Sequence, residues 1–236
     1  MRIEDALLGE MGGGRGAGVA DRLCQACVHL LGVDGAAISL VNDGVNIATL
    51  GASDPAARSY DELQFTLGVG PCLDAVAHRA PVMIADLADR SGGSRWPAYG
   101  EAMLANRIRG VYAMPIVVAG EYVGALDVFN AEPPAWTVEQ LIGIGEAAEL
   151  AQIPVMDLLA RDMGEAAAPP GSAAWNEIRM LTRAEVSQAT GVLMAQLHLS
   201  APAALIRLRA HAYASGRSAT AVAGDVLARR LHLERN

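Results

Sequence analysis

The stretch from Thr182 to Leu231 constrains this chain most, because its punctuation admits little other than three short helices. Thr182 with Glu185 fits a capping box, in which the hydroxyl takes a free N–H of the first turn and the carboxylate reaches back. Val186, Ala189, Val192, Leu193 and Leu197 then recur at helical spacing. Ser200 stands where a second helix needs its cap, and Pro202 falls in the first turn, where a missing N–H costs nothing. Leu205, Leu208 and Ala212 give that helix an apolar face until Gly216 ends it. Ser218 or Thr220 opens a third, with Val222, Val226, Leu227 and Leu231 facing inward. A compact three-helix unit is therefore expected over residues 175–236.

Charge separates this unit from the rest. Residues 1–171 carry a net −12 and residues 172–236 a net +4, all the positive charge being arginine. An acidic body with a basic tail suits a polyanionic partner for the tail, although a solvated helix face carries similar charge. Arginine forks bind phosphate, and an aromatic can stack an unpaired base. The candidate contacts are Arg207, Arg209, His211, Tyr213, Arg217, Arg229 and Arg230.

The body reads as mixed helix and strand. Residues 1–18, rich in glycine from Gly9 onward, are expected to be a flexible entry. Val19 to Leu31 suggests a helix with Cys24 and Cys27 on one face. A lone C-x-x-C supplies half of a zinc site, so two small core residues are the blander reading and no metal is expected. Ala36–Val41 and Val45–Leu50 form a hairpin about Asn42-Asp43-Gly44. Asp54 to Asp61 reads as a loop and Phe65 to Leu67 as a short strand. Gly68 to Cys72 is a glycine turn feeding a helix, Pro81 to Asp86 a buried strand, Ser91 to Ser94 a turn, and Trp96 to Tyr99 the start of a helix. Val111–Val118 and Glu121–Phe129 make a second hairpin, turning at Ala119-Gly120. Residues 137–163 read as one helix of about 40 Å, capped by Thr137 with Gln140 and kinked or broken at Pro154. Its stripe of Leu141, Ile144, Ala148, Ala151, Val155 and Leu158 either covers the sheet or pairs with a twin in a homodimer. Residues 164–174, with Pro169-Pro170-Gly171, are a linker.

Two families are recognisable in these residues. Ala189-x-Gly191-Val-Leu-Met194, Ala204 followed by Leu208-Arg209, and Val222-Ala223 resemble the ANTAR output domain of bacterial response regulators. Where that family usually has lysine between the alanine and the glycine, this chain has Thr190. Gly70-Pro-Cys72-x-Asp74-Ala75, Pro81-Val82 through Asp86, Trp96-Pro97, Pro115-Ile116 and Gly124-Ala-Leu resemble a GAF domain over roughly residues 19–152, and with the connector helix the sensor runs over 19–163. The resemblance implies an α+β chain: an antiparallel-sheet GAF sensor with flanking helices, a long connector helix and a three-helix ANTAR domain. It also implies an output that binds RNA hairpins, lets polymerase read through terminators, and works as a dimer.

Within the sensor, Cys72, Asp86, Trp96, Tyr99 and Asp127 are the candidate small-ligand residues. Cys72 begins a helix, where backbone N–H groups favour thiolate and redox sensing, unless it only closes a turn. Asp86 could equally cap the next turn, and Trp96 and Tyr99 could simply cover the core. Neither the bilin nor the cyclic-nucleotide pattern is present, so the cofactor is unknown. No apolar run reaches the roughly 18 residues of a membrane span, and the start lacks signal-peptide character, so a cytoplasmic location away from membranes is expected. The leading reading is a non-enzymatic antitermination regulator. A DNA-binding or protein-partner regulator is the first alternative, and a thiol-dependent GAF enzyme the second.

Overall fold

The computed structural model describes residues 2–13, 17–89, 95–165 and 183–234. The Ser91–Ser94 turn, most of the linker, the segment from Trp175 and the Thr182 cap lie outside the described residues. The order is α1 (Ile3–Met11), α2 (Ala17–Leu31), β1 (Gly35–Asn42), β2 (Val45–Ala52), α3 (Pro55–Leu67), α4 (Pro71–His78), β3 (Val82–Ile84), α5 (Pro97–Ala105), β4 (Gly110–Val118), β5 (Glu121–Asn130), α6 (Val138–Leu150), α7 (Gln152–Glu165), α8 (Ala184–Leu197), α9 (Ala201–Ala214) and α10 (Ala219–Leu227). The strands form one antiparallel sheet in the order β2-β1-β5-β4-β3. Both hairpins turn on two left-handed residues, Asp43-Gly44 and Ala119-Gly120, as two-residue turns require.

Both faces of the sheet are covered, which is why its strands read as near-continuous apolar runs. On β1, Ala36, Ile38 and Leu40 face the layer made by α1, α2, α6 and α7. Ala37 and Val41 face the layer made by α3, α4 and α5. The two-residue period places Asp127 on this second side, between Ala125 and Phe129 on β5. Its register neighbours are Ala37 on β1 and Ala113 on β4, both small.

Two expectations fail, each for a packing or capping reason. The flexible entry assigned to residues 1–18 contains a helix, because Leu7 and Met11 bury themselves against the α2–α6 layer. Gly143 admits Ile3 and Leu31, and a Cβ there would stand 2.5 Å from the Leu31 side chain. The loop at 54–61 and the strand at 65–67 are one helix, α3. Asp54 caps it by accepting the Ala56 and Ala57 N–H groups at 2.7 and 3.0 Å, Pro55 fits the first turn, and Gly68 closes it in the left-handed region. Asp54→Ala is expected to lower stability by about 1 kcal/mol, read as an earlier urea midpoint with an unchanged slope. The helix over 137–163 breaks ahead of Pro154, as the missing N–H there leads one to expect, and forms two helices. Thr137 and Gln140 form the capping box, but α6 stops at Leu150 because Pro154 has no N–H to return to its carbonyl. Ile144, Ala148, Ala151 and Val155 are spent on the sheet rather than left for a twin.

The C-terminal three helices share a core of Val186, Ala189, Leu193, Ala204, Leu208, Ala212, Val222 and Val226. Ser218 caps α10 by accepting the Ala221 N–H at 3.1 Å. Arg183, in the left-handed region, leads into α8. Phe65 of α3 belongs to the same core, so sensor and output meet there. Among the described residues no single helix is long and apolar enough to cross a membrane.

Candidate functional site

The seam between sensor and output is built around Phe65. The Arg183 guanidinium lies over its ring at 4.4 Å and the Arg209 guanidinium at 4.6 Å. Arg183 is only 6% exposed. It donates to Asn46 Oδ1 at 2.7 Å, Thr49 Oγ1 at 3.0 Å, Glu62 Oε2 at 3.0 Å and Asp61 Oδ2 at 3.3 Å. A planar fork with several donors suits such a pocket as an ammonium would not. The start of α10 rests on the same sensor helix: Ala219 N–H donates to Thr66 Oγ1 at 3.0 Å, and Thr220 Oγ1 to Glu62 Oε1 at 2.8 Å. A groove of about 720 Å³ runs along this seam, with Tyr60, Leu63 and Ala102 on the sensor side and Tyr213 and Arg217 on the output side.

Beneath the seam lies a buried polar cluster. Asp61 accepts from Ser39, Thr49, Arg183 and Asn46, the last at 2.8 Å. Asp127 accepts from Gln64 Nε2, and Gln64 Oε1 takes the Cys72 N–H at 2.8 Å. The Gly70 turn makes this possible, since a Cβ there would meet the Gln64 Cγ at 2.7 Å. Asp127 Oδ1 and the Tyr99 hydroxyl are buried with no hydrogen-bond partner among the described residues. Burial drives the Asp127 carboxyl well above the usual carboxylate range, and the charge of Asp61 adds to it.

Of the five sensor candidates, Cys72, Tyr99 and Asp127 come together here. Trp96 is one layer out, edge-on to Tyr99 with ring centres 6.3 Å apart. Asp86 is elsewhere. It pairs with Arg109 and caps Ala88, and the Arg109 hydrogen bond holds its carboxyl below the ordinary value. The alternative of a turn cap is therefore the correct one, because a strand end at the surface aims Asp86 along the loop. Cys72 does begin α4, but it is fully buried, and burial beside Asp127 and Asp61 pushes its thiol well up, not down. Desolvation outweighs the helix terminus, so it is no poised thiolate. Cys24 and Cys27 are core residues too, burial raising Cys27 to about 12.

The output candidates also divide. Arg209 faces Phe65, and its half-buried guanidinium loses basicity to desolvation and then to Arg183. Arg217 and Arg230 both hold Asp225, at 2.7 and 2.6 Å, and Arg207 donates to the Glu234 carbonyl at 2.6 Å. Tyr213 is 58% exposed. Arg229 is exposed and His211 half-buried. Thr190 turns its hydroxyl back to the Val186 carbonyl at 2.7 Å. Sequence reasoning missed Asp61, Gln64, Phe65 and Arg183, because polar residues on a buried helix face leave no apolar stripe.

A family model for the GAF domain matches residues 17–153, more than half of the chain. The chain belongs to the GAF family. A second model, for the ANTAR domain, matches residues 177–227 directly behind the GAF domain, so the order is GAF then ANTAR. No curated protein matches. Among solved structures, the GAF domain of an Acinetobacter phosphoenolpyruvate-protein phosphotransferase is 13% identical, with 72% of this chain and 96% of that one covered and a TM-score of 0.48. The corresponding domain from Coxiella burnetii is 17% identical, with 69% and 94% covered and a TM-score of 0.46. A free methionine-R-sulfoxide reductase from Neisseria meningitidis is 16% identical, with 68% and 87% covered and a TM-score of 0.43. Likeness at this level carries no weight for function. The GAF–ANTAR architecture itself is that of a signal-sensing regulator of the antitermination type, and is typical of regulators rather than enzymes.

Proposed function

We propose that this GAF–ANTAR protein binds RNA hairpins to control antitermination, and that its sensor restrains the output by holding Arg183 and Arg209 on Phe65. The observation that carries this reading is the double stack on Phe65, which half-buries Arg209, a candidate RNA contact, and turns its guanidinium onto the sensor. A signal that loosens α3 would free both arginines together with the start of α10. Tyr213, Arg217, Arg229 and Arg230 remain at the surface and form the phosphate- and base-contacting face. A thiol-dependent enzyme finds little support, because all three cysteines are buried. The protein works in the cytoplasm as a homodimer. Its seam is the outward side of α6 and α7, where Val138, Ile142, Ile153 and Met156 are exposed. Sedimentation should then show a dimer that Ile142→Asp dissociates, and a monomeric wild type at tens of micromolar would refute it.

Binding of the full chain to a terminator hairpin and to duplex DNA of equal length tests the partner directly. The hairpin is expected to bind tighter at every salt concentration, and preference for the duplex would overturn the reading. Arg230→Gln is expected to lower the log–log salt slope of hairpin binding by about 0.7 while leaving the ranking of hairpins unchanged.

A further inference from the structure

We infer that Asp61, Cys72 and Asp127 form a binding site for one divalent transition-metal ion inside the sensor. This inference rests on reading the GAF domain as the signal-receiving half, and gives that half a ligand of defined chemistry. Three elements converge to make the site: α3 brings Asp61, the first turn of α4 brings Cys72, and β5 brings Asp127. Their ligand atoms lie within 4.8 Å of one another, and all three residues are buried. Bonds of about 2.0–2.2 Å to oxygen and about 2.3 Å to sulfur set ligands roughly 3–4 Å apart around one ion. Small side-chain rotations therefore close the site.

The charge balance points to a cation. Asp61 has Arg183 beside it, but among the described residues Asp127 has no cation and only the Gln64 amide. A second carboxylate in the same dry interior is strongly unfavourable unless something positive, or a proton, joins it. The unpartnered Asp127 Oδ1 marks where that partner belongs. The Tyr99 hydroxyl of the same core layer is equally buried and has no hydrogen-bond partner among the described residues. The residues flanking Asp127 in register, Ala37 and Ala113, are small. With both carboxylates ionised and the thiol deprotonated by the metal, an ion of charge two together with Arg183 offsets the three negative charges of Asp61, Cys72 and Asp127, while Glu62 shares Arg183 from the rim. A thiolate among carboxylates selects zinc, iron(II) or cobalt(II) over calcium or magnesium.

The site also touches the seam. Asp61 is shared with Arg183, so an ion there bears on the residue that leads into the output domain.

Cobalt(II) is the probe. The full-length chain, stripped with chelator, is titrated with cobalt under anaerobic conditions and followed by absorption. The expected result is a near-ultraviolet thiolate-to-cobalt band that saturates at one ion per chain. Cys72→Ser should abolish the band, and Asp127→Asn, which keeps the shape, should weaken binding by about tenfold or more. Asp86→Asn, which alters an acid outside the cluster, should titrate as wild type. No saturable band in the wild type, or a band that survives Cys72→Ser, would overturn the site. Hairpin binding by the same stripped protein is read in parallel. Lost cobalt binding with intact hairpin binding sinks the metal site alone, and the converse sinks only the RNA reading.

Discussion

Arg183→Ala is expected to destabilise the full chain by about 3–5 kcal/mol, the usual consequence of removing one partner from a buried ion pair. The magnitude follows from what remains. Asp61 is fully buried and would retain Ser39, Asn46 and Thr49 but no cation, while Glu62 would lose its 3.0 Å contact and Phe65 one of its two guanidinium partners. For a chain of this size each kcal/mol moves the melting temperature by roughly 2–4 °C, so the change is easily seen by circular dichroism. Arg183→Lys should fall between, keeping the charge and losing the fork. In an Asp61→Asn background the Arg183→Ala loss should shrink markedly, because the stranded charge is gone. A change within about 0.5 kcal/mol, as for an ordinary surface position, would mean that the output domain does not rest on the sensor in solution.

The second large effect concerns RNA. Tyr213→Ala is expected to weaken hairpin binding roughly 5- to 150-fold, the equivalent of one base stacked on an aromatic ring at about 1–3 kcal/mol. Tyr213 can bear this role because it is exposed at the end of α9 beside Arg217, where a loop base can approach while the phosphates meet arginine. Its removal should leave the urea midpoint almost unchanged, which separates lost recognition from lost folding. Equal hairpin affinity in Tyr213→Ala and wild type would move the base contact elsewhere.

Much of the fold was legible in the residues, and the failures have a common cause. Apolar strand runs, two-residue turns and the capping box of α6 are local signals, written within a few residues of where they act. The three C-terminal helices were readable for the same reason, with Ser218 and Gly216 supplying boundaries. Helix α3 was not legible, although Asp54-Pro55 is a strong start. Its buried residues are Ala57, Asp61, Gln64, Phe65 and Thr66, and three of those five are polar. Burial of such residues is decided by partners more than a hundred residues away, as with Arg183. The same reason divides the candidate site. Cys72, Tyr99 and Asp127 could be chosen by type and position, but the buried companions that set their chemistry could not. Asp86 shows the opposite error, since an acid at a strand end looks alike whether it points inward or caps a turn. The helix-terminus argument for Cys72 was sound as far as it went, and the burial that overrides it is a tertiary property.

The restraint of the output by the sensor is tested most directly from the sensor side, at a residue that RNA has no reason to touch. Phe65→Leu keeps an apolar side chain in the shared core and removes the ring on which Arg183 and Arg209 both lie. Each guanidinium–ring contact contributes about 0.5–2 kcal/mol, so losing both should shift the balance toward the released output by at least about 1 kcal/mol. The measurement is the affinity of the full chain for one terminator hairpin, wild type beside Phe65→Leu at the same salt concentration. Binding tighter by roughly 5- to 30-fold in the variant is the result expected if the sensor holds the output back. Equal or weaker binding by a variant that is otherwise folded would contradict it.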